Sequence, residues 1–467
     1  MNIPRIVVAG VTSGVGKTTV TTAIIYALKK KGLYVQPFKI GPDFIDPSYH
    51  TYVAGRQSRN LDTWMMGKNG VLECFYNTSD GADIAVIEGV MGVFDGLSGG
   101  DDFASTAYVA KILNSSVILV IDAGKAARSI AAIALGFLHF DKRLRIIGII
   151  LNNVAGDKHA NFITDAFAYK VKAPIVGIVR RNKKNEMEER HLGLIPAPEL
   201  QEKKKATILQ SAKYVSEQID IDKISDLLNR EHRVQCSTHL DIRHNRFPPN
   251  GQIKIAVAMD ESFNFYYADN LDALRRQKAQ LVFFSPVNDS KLPENISGVI
   301  LGGGFPEVLA EKLEKNQSMI KSISKAAKDG IPIYGECGGL MYLTRSIRGY
   351  KFDDDNNNNK KRKMIGLIDA DTFMTGKLTL NYTEADSNAS IFDKISKIRG
   401  HEFHYSKIEN ISKDSKFAYI MKRGSGIDNK KDGFVVYNCL ASYMHLHFAD
   451  SRLPKRLVEK CIKCSQR

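Results

Sequence analysis

A single cysteine, Cys337, stands in the stretch YGECGGLMYL between a short apolar run and a helix-like run, with two glycines behind it. A nucleophile on a sharp turn from strand to helix is exposed to substrate, and the helix N-terminus favours the thiolate. Two histidines, His445 and His447, follow the apolar run FVVYNC, and either could accept the thiol proton and return it to a leaving amine. The alternative is an inert cysteine buried in the core, and the histidines favour the nucleophile.

Consecutive glycines in GVILGGGFPE predict a further group that such a nucleophile needs. Backbone N–H groups in a glycine loop after a strand can stabilise an oxyanion, and Gly303 and Gly304 hold that place here. Each feature is weak alone. The conjunction of a glycine loop, an elbow cysteine and a late histidine indicates nucleophilic catalysis by Cys337.

A second constellation lies near the N-terminus, where AGVTSGVGKTTV follows an apolar run and opens a helix-like segment. Glycines let backbone N–H groups approach phosphates, Lys17 can reach the β and γ phosphates, and the Thr18 hydroxyl can ligate Mg²⁺. The first glycine is displaced from the usual P-loop spacing, but the GVGKTT core is specific. The predicted ATP-binding residues are Ser13, Gly14, Val15, Gly16, Lys17, Thr18 and Thr19, with Asn152 and Asn153 of LNNV predicted to read the adenine edge.

Carboxylates follow two other apolar runs of the N-terminal half. DIAVIEG ends in Glu88, which would lie at the carboxyl edge of a parallel sheet, where ligands bind, and Asp95 lies on the loop beyond it. FKIGPDFIDPSYH adds Asp43 and Asp46, for which turn and cap residues are the alternative interpretation. Because Mg²⁺ prefers hard oxygen ligands, the predicted metal ligands are Thr18, Asp43 and Glu88.

The elements that must position these residues form two α/β patterns. Apolar β-branched runs alternate with helix-like segments over residues 1–200, which predicts a doubly wound parallel sheet in a P-loop domain. A polar helical segment and linker follow over 201–250, where RFPPNGQ marks the boundary. A second α/β domain is predicted over 251–450, and 451–467 is predicted to be a C-terminal tail.

Composition limits the class of protein further. No apolar run reaches the roughly 18 residues that a membrane span needs, so we expect a cytoplasmic protein. The six cysteines are scattered, which favours free thiols over a disulfide framework. The net charge is +15, but the lysines are dispersed and are not interleaved with aromatic residues, so the charge predicts an anionic small molecule rather than nucleic acid as partner.

Several motifs together resemble a known family. The C-terminal half looks like a class I glutamine amidotransferase domain of the cobyric-acid-synthase type, and the N-terminal half is similar to dethiobiotin-synthetase-like ATPases. Nearly all of residues 1–450 resembles the cobyrinic acid a,c-diamide synthase family, which includes the nickel-sirohydrochlorin a,c-diamide synthase of coenzyme F430 assembly. The motifs that carry the resemblance are KIGPDFIDPSYH, NLDTWM, EGVMGVFDG, DESFNFYY, GGGFPE, GECGGLMYL, GHEFHYS and SYMHLHF.

The resemblance implies a role for individual residues. Cys337 would be the glutaminase nucleophile and His445 its base, while Asp46 and Asp95 would handle the activated carboxylate. Class I domains usually carry a glutamate two residues after the histidine, where this sequence has His447. The third member of the triad is therefore left open.

The implied reaction is ATP- and glutamine-dependent amidation of the a- and c-acetate carboxylates of cobyrinic acid, through an acyl phosphate and ammonia released from glutamine. Nickel-sirohydrochlorin carries the same acetates and stays open as an alternative substrate. A partition-type P-loop ATPase is the rival class, but it needs neither an elbow cysteine nor a second domain. The expected ligands are ATP, Mg²⁺, L-glutamine and an anionic tetrapyrrole, with neither nucleic acid nor membrane as partner; a homodimer is compatible with the sequence.

Overall fold

A computed structural model describes residues 3–182, 202–232, 253–349, 360–388, 391–392 and 394–465, with positions 189–190, 193–194, 196 and 199 between them. The chain divides into two compact units, Met1–His244 and Asn245–Arg467. The predicted linker motif RFPPNGQ lies outside the described residues.

A parallel sheet forms the centre of the first unit. Its described strands are β1 (Arg5–Gly10), β2 (Val35–Ile40), β3 (Arg59–Leu61), β4 (Ile84–Glu88), β5 (Ser116–Asp122), β6 (Ile146–Val154) and β7 (Ile175–Arg180). They pair in the order β3-β2-β4-β1-β5-β6-β7, and every pairing is parallel. The strands are apolar because helices cover both faces. The loops after β1 and β4 therefore meet at the carboxyl edge of neighbouring strands, where open α/β sheets bind ligands.

Helices surround this sheet. They are α1 (Lys17–Lys30), α2 (Ile45–Ala54), α3 (Thr63–Thr78), α4 (Thr106–Ile112), α5 (Ser129–Phe140), α6 (Asp157–Lys170), α7 (Glu202–Ser216) and α8 (Ile221–His232), and a short antiparallel pair, β8 (Glu189–Arg190) and β9 (Gly193–Leu194), precedes α7. The helical segment predicted outside the first domain belongs to it, because α7 and α8 bury Ile208, Val215 and Ile224 within this unit.

The second unit combines parallel and antiparallel strands in one sheet. Its described strands are β10 (Ile253–Ala258), β11 (Ala279–Phe284), β12 (Gly298–Leu301), β13 (Ile333–Glu336), β14 (Thr344–Arg348), β15 (Lys361–Lys363), β16 (Ile368–Ser387), β17 (Ile395–Glu409), β18 (Lys416–Arg423), β19 (Lys431–Val436), β20 (Cys439–Ser442) and β21 (His445–Leu446). The order is β11-β10-β12-β13-β20-β19-β18-β16-β14-β15, and β17 pairs with β16 and β21. The strands from β11 to β20 in this order are parallel, and β13 lies inside this parallel part, between β12 and β20.

Five helices are described in this unit: α9 (Ala268–Arg276), α10 (Ala310–Lys315), α11 (Gln317–Lys328), α12 (Gly338–Leu343) and α13 (Arg452–Ser465). The prediction of a C-terminal tail is wrong for α13. Leu457, Val458 and Cys461 on this helix are buried in the hydrophobic core beside β10. The buried positions 453, 454, 457, 458 and 461 have the spacing of one face of a helix, so the sequence did carry a signal for α13.

The fold class predicted from sequence, two successive α/β domains with a doubly wound parallel sheet in the first, is confirmed. Across the part of the chain that the structure describes, no helix combines the length and the apolar character required to cross a bilayer.

Candidate active sites

The P-loop connects β1 to α1 and leaves the start of the helix open. Gly16 precedes α1 in a left-handed conformation, with φ 87°, and no side chain caps the first turn. A Cβ on Gly16 would lie 2.2 Å from the Asn152 amide nitrogen, so only glycine fits there. The N–H groups at the start of α1 therefore face the loop with their positive dipole end, which is the arrangement that binds phosphate.

Asn152 supports this loop from β6. Its buried amide donates a 2.8 Å hydrogen bond to the Val15 carbonyl. This contact fixes the backbone of the P-loop, and the contact of Asn152 with the adenine edge stays a prediction. Asn153 is half-buried in a left-handed conformation at the end of β6, and its adenine contact stays a prediction.

Lys17 lies at the first position of α1 with its side chain buried. Its ammonium donates to the carbonyls of Met91, at 2.7 Å, and Thr12, at 3.2 Å. Burial, together with the nearby Lys39 ammonium, lowers the pKa of Lys17 to about 8. The carboxylates of Glu88, Asp46 and Asp95 partly oppose this shift, and a phosphate bound beside Lys17 would oppose it further.

Glu88 forms the centre of a buried ionic cluster next to the P-loop. Its Oε1 accepts from the Thr18 hydroxyl at 2.8 Å and from the Lys39 ammonium at 2.9 Å, and its Oε2 lies 2.6 Å from His50 Nε2. Burial opposes ionisation, but Lys39 and His50 outweigh it and hold the pKa of Glu88 well below its usual range. Glu88 is therefore an ionised carboxylate at the first turn of α1.

Lys39 connects this cluster to Asp46. The Lys39 ammonium donates to Asp46 Oδ2 at 2.6 Å as well as to Glu88. Burial opposes the charge on Lys39, but the two carboxylates raise its pKa above the ordinary value, whereas burial and the neighbouring carboxylates of Asp43 and Glu88 raise the pKa of Asp46. Sequence reasoning missed Lys39 and His50, although a lysine inside the apolar strand VQPFKI was a visible signal.

The other predicted carboxylates hold loops in place. Asp43 accepts from the backbone N–H groups of Ile45 and Asp46, both at 3.0 Å, which is the turn-and-cap interpretation. Asp95 accepts from the Gly92 N–H at 2.9 Å and closes the loop after β4. In the described residues no group of three or more His, Cys, Asp and Glu side chains has the geometry of a metal site.

The cysteine elbow of the second unit lies between β13 and α12. Cys337 has φ 45° and ψ −95°, a strained conformation for a residue with a side chain, as a nucleophile elbow requires. Its N–H donates to the Ser442 carbonyl at 2.8 Å, which ties the elbow to β20. A Cβ on Gly339 would lie 2.1 Å from the Leu301 carbonyl oxygen, so this glycine permits the close approach of β12.

The glycine loop after β12 packs against the elbow. A Cβ on Gly303 would lie 2.6 Å from Cε1 of His445, and one on Gly338 would lie 3.0 Å from the Gly304 nitrogen. Gly304 has φ 147°, and a Cβ there would meet the Ser262 carbonyl oxygen at 2.1 Å. The structure therefore brings the predicted oxyanion glycines together with the base and the elbow, while their role in catalysis stays a prediction.

The surroundings of Cys337 favour the protonated thiol over the thiolate. Burial, followed by the carboxylates of Glu307 and Glu336, raises its pKa well above the ordinary value, and the Gly338 N–H opposes this only in part. The helix N-terminus was expected to favour the thiolate, but burial and the two carboxylates have the larger effect on the pKa of Cys337. The thiol donates to the Phe403 carbonyl at 3.6 Å, so activation of Cys337 needs a base.

His445 is buried between a carboxylate and another imidazole. Its Nδ1 lies 3.3 Å from Glu336 Oε2, and its ring stacks on His401 with centroids 4.8 Å apart and planes inclined by 12°. His447 lies instead against the Tyr267 ring, with centroids 4.9 Å apart, and its Nδ1 accepts from the Ala449 N–H. Glu336, which sequence reasoning did not single out, occupies the position next to His445 Nδ1.

The P-loop sheet and the cysteine elbow define a nucleotide-binding domain followed by a glutamine amidotransferase domain. Residues 6–195 match the family described as the CobQ/CobB/MinD/ParA nucleotide binding domain, and residues 254–453 match the CobB/CobQ-like glutamine amidotransferase domain.

Relatives match over almost the whole chain. The cobyrinate a,c-diamide synthase of Methanosarcina barkeri is 40% identical over 96% of this chain and 93% of its own length. Proteins of the same name from Methanococcus maripaludis and Dehalococcoides mccartyi are 43% and 41% identical; they match 95% and 96% of this chain, respectively, and 96% of their own length in both cases. This chain belongs to the cobyrinate a,c-diamide synthase family.

Proposed function

We propose that the protein uses ATP and glutamine to amidate the a- and c-acetate carboxylates of cobyrinic acid. The observation that carries the proposal is the presence, in one chain, of a P-loop beside an ionised carboxylate and of a cysteine elbow beside a buried histidine. The relatives that match this chain over nearly their full length are named cobyrinate a,c-diamide synthases. An amidotransferase needs both sites, whereas a partition-type ATPase needs only the first.

The first site supplies the activation that a carboxylate requires. Ammonia does not displace oxide from a carboxylate, so transfer of the γ-phosphoryl group of ATP to a carboxylate oxygen must come first, giving an acyl phosphate and ADP. The P-loop N–H groups and Lys17 would hold the phosphates. Ammonia then attacks the acyl carbon, and inorganic phosphate leaves.

Mg²⁺ fits the oxygen donors at the start of α1. The Thr18 hydroxyl lies beside the ionised Glu88 carboxylate, and such hard oxygens together with phosphates and water are the ligands Mg²⁺ prefers. Thr18 would hold the ion through its hydroxyl oxygen, and Glu88 would accept hydrogen bonds from the groups that ligate the ion. Bound there, Mg²⁺ would neutralise charge on the transferred phosphoryl group. Asp43 caps α2 and is a weaker candidate ligand.

The second site supplies the ammonia. Cys337 Sγ attacks the side-chain amide carbon of glutamine, His445 takes the thiol proton, and N–H groups at Gly303 and Gly304 would stabilise the oxyanion. His445 then gives the proton to the departing nitrogen, which leaves as ammonia. Water hydrolyses the remaining thioester to glutamate and restores the thiol.

Mass spectrometry of the reaction products tests the substrate. Purified protein is given ATP, Mg²⁺ and glutamine, with cobyrinic acid and nickel-sirohydrochlorin in parallel, because both carry the a and c acetates. Two successive exchanges of O for NH on cobyrinic acid support the proposal. Exchange on nickel-sirohydrochlorin alone moves the function to coenzyme F430 assembly, and exchange on neither refutes the proposed substrate class. The molar mass of the same sample from light scattering tests whether the protein is a homodimer. Fractionation of cells that make the protein tests its cytoplasmic location.

A further inference from the structure

Glu336 is the last residue of β13 and directly precedes the elbow cysteine. Its carboxylate is buried, and both oxygens are engaged. Oε1 accepts from the Tyr334 hydroxyl at 2.6 Å and from the Leu446 N–H at 3.1 Å, while Oε2 faces His445 Nδ1 at 3.3 Å. Two of these contacts fix the carboxylate, and the third is directed at the imidazole.

This arrangement decides which nitrogen of His445 can act as a base. A carboxylate accepts hydrogen bonds, so the contact requires the proton on Nδ1 and leaves the lone pair on Nε2. The N–H of Leu446, the next residue along the chain, donates to the same carboxylate and holds the strand that carries His445. Glu336 therefore acts on both the tautomer and the position of the ring.

We propose that Glu336 is the positioning residue of the glutaminase site, which holds His445 in the tautomer that accepts the Cys337 proton. Class I domains usually supply this carboxylate from a glutamate two residues after the histidine. Here Glu336 supplies it from β13, the strand that leads to the nucleophile. The inference rests on the proposed role of Cys337 and His445 in glutamine hydrolysis.

The described contacts of His447, the residue at the usual place, are with other groups. His447 lies against Tyr267, and its Nδ1 accepts from the Ala449 backbone. His401, which stacks on the other side of the base, contacts it through ring faces, and its Nε2 lies 2.7 Å from the Tyr267 hydroxyl. Among Glu336, His401 and His447, Glu336 is the group whose hydrogen-bond acceptor faces His445 Nδ1.

Positioning can be separated from the effect of the Glu336 charge on the Cys337 thiolate because the two have opposite signs. The negative charge of Glu336 disfavours the Cys337 thiolate, as do burial and Glu307. If the effect of the Glu336 charge on the thiolate were all that mattered, removing that charge would make the thiol more reactive. If Glu336 orients the base, removing its acceptor makes the thiol less reactive.

Glu336→Gln is the test. The amide oxygen can keep the bonds from Tyr334 and Leu446, which directs the NH₂ group at Nδ1 and moves the histidine proton to Nε2. We expect kcat for glutamine hydrolysis to fall about 100-fold or more, the scale of a lost general base, with KM for glutamine within a few-fold. Labelling of Cys337 by a chloroketone analogue of glutamine should slow in parallel.

Two variants act as controls. Tyr334→Phe keeps the carboxylate and removes one of its supports, so it should lower kcat much less than Glu336→Gln. Glu336→Asp keeps the negative charge but moves the carboxylate back by one methylene, so it should recover about tenfold of the lost kcat without reaching the wild-type value. If the Gln variant is insoluble, the Asp variant decides: a lowered kcat at unchanged KM supports the proposal, and a wild-type kcat overturns it.

Full glutaminase activity in Glu336→Gln, or faster labelling of Cys337, would overturn the positioning role. A loss of kcat in His447→Asn but not in Glu336→Gln would assign the role to His447. The readout is glutamine hydrolysis, so a wild-type protein that hydrolyses glutamine but amidates neither tetrapyrrole refutes only the proposed substrate.

Discussion

Replacing Lys39 by Met should destabilise the first unit strongly. Lys39 has a side chain only 5% exposed and bonds to Asp46 at 2.6 Å and Glu88 at 2.9 Å. Methionine has a similar length but leaves two carboxylates without their shared cation. Removing one partner of a buried ion pair costs about 3–5 kcal/mol, and Asp46, whose pKa is already raised, limits the cost by taking up a proton. We therefore expect a loss of about 3–4 kcal/mol in the free energy of unfolding at pH 7.

The loss should shrink as the pH falls. In the wild type, the depressed pKa of Glu88 means that its contribution is present above the unfolded pKa and disappears as the pH falls through the folded pKa. In Lys39→Met, Glu88 loses the support of the Lys39 ammonium and its pKa rises. The ionisation of Glu88 then contributes much less to the free energy of unfolding. The difference between the two proteins is therefore largest near neutral pH and narrows below about pH 5.

The chain offers a local probe for this measurement. Trp64, on α3 of the first unit, is the single tryptophan and is buried. Its fluorescence during urea unfolding reports the first unit without a signal from a tryptophan in the second. The matched control is Lys31→Met, which removes the exposed pair with Asp222 and should cost less than about 1 kcal/mol. A Lys39→Met loss no larger than that of the control, or one that grows toward acid pH, would refute the reasoning.

Other variants test the two sites separately. Cys337→Ser should abolish glutamine-dependent amidation and keep the ammonia-dependent rate; retained glutamine use would show another nucleophile. Lys17→Ala should remove both glutamine-dependent and ammonia-dependent amidation, because phosphoryl transfer precedes each of them; ADP release is the measurement. Asn152→Ala removes the 2.8 Å bond to the P-loop and should weaken ATP binding about fivefold, from about 1 kcal/mol for one hydrogen bond, by calorimetry; an unchanged affinity would contradict its supporting role. Gly304→Ala places a Cβ 2.1 Å from a backbone oxygen and should abolish glutamine hydrolysis and lower the thermal midpoint, whereas a tolerated alanine would show that the loop can shift.

The features that sequence could predict are those encoded within a short segment. GVGKTT and GECGG specify their loops by local spacing, so the P-loop at Lys17 and the elbow at Cys337 could be placed before the fold was known. The alternating apolar runs likewise specified the parallel sheet, because strands buried on both faces must be continuously apolar.

The features that sequence could not predict depend on pairing between distant segments. Glu336 reaches His445 because β13 pairs with β20, which places Glu336 opposite Ser442, three residues before His445; the motif around the cysteine does not reveal this pairing. Asn152 meets the P-loop because β6 ends at the same sheet edge, and the sequence did not predict this backbone contact. A charged residue in an apolar strand, such as Lys39, indicates an internal partner but does not identify Glu88 and Asp46.

The distance along the chain between Glu336 and His445 has a consequence for protein synthesis. The two residues are separated by 109 positions, and β17, which pairs with β21 across His401 and His445, is made between them. A ribosome that has synthesised the elbow cysteine has not yet made His445, its proposed base. A prematurely terminated chain that ends before His445 therefore carries the thiol without this histidine, and we expect such a fragment to leave glutamine intact even though it contains the whole first unit.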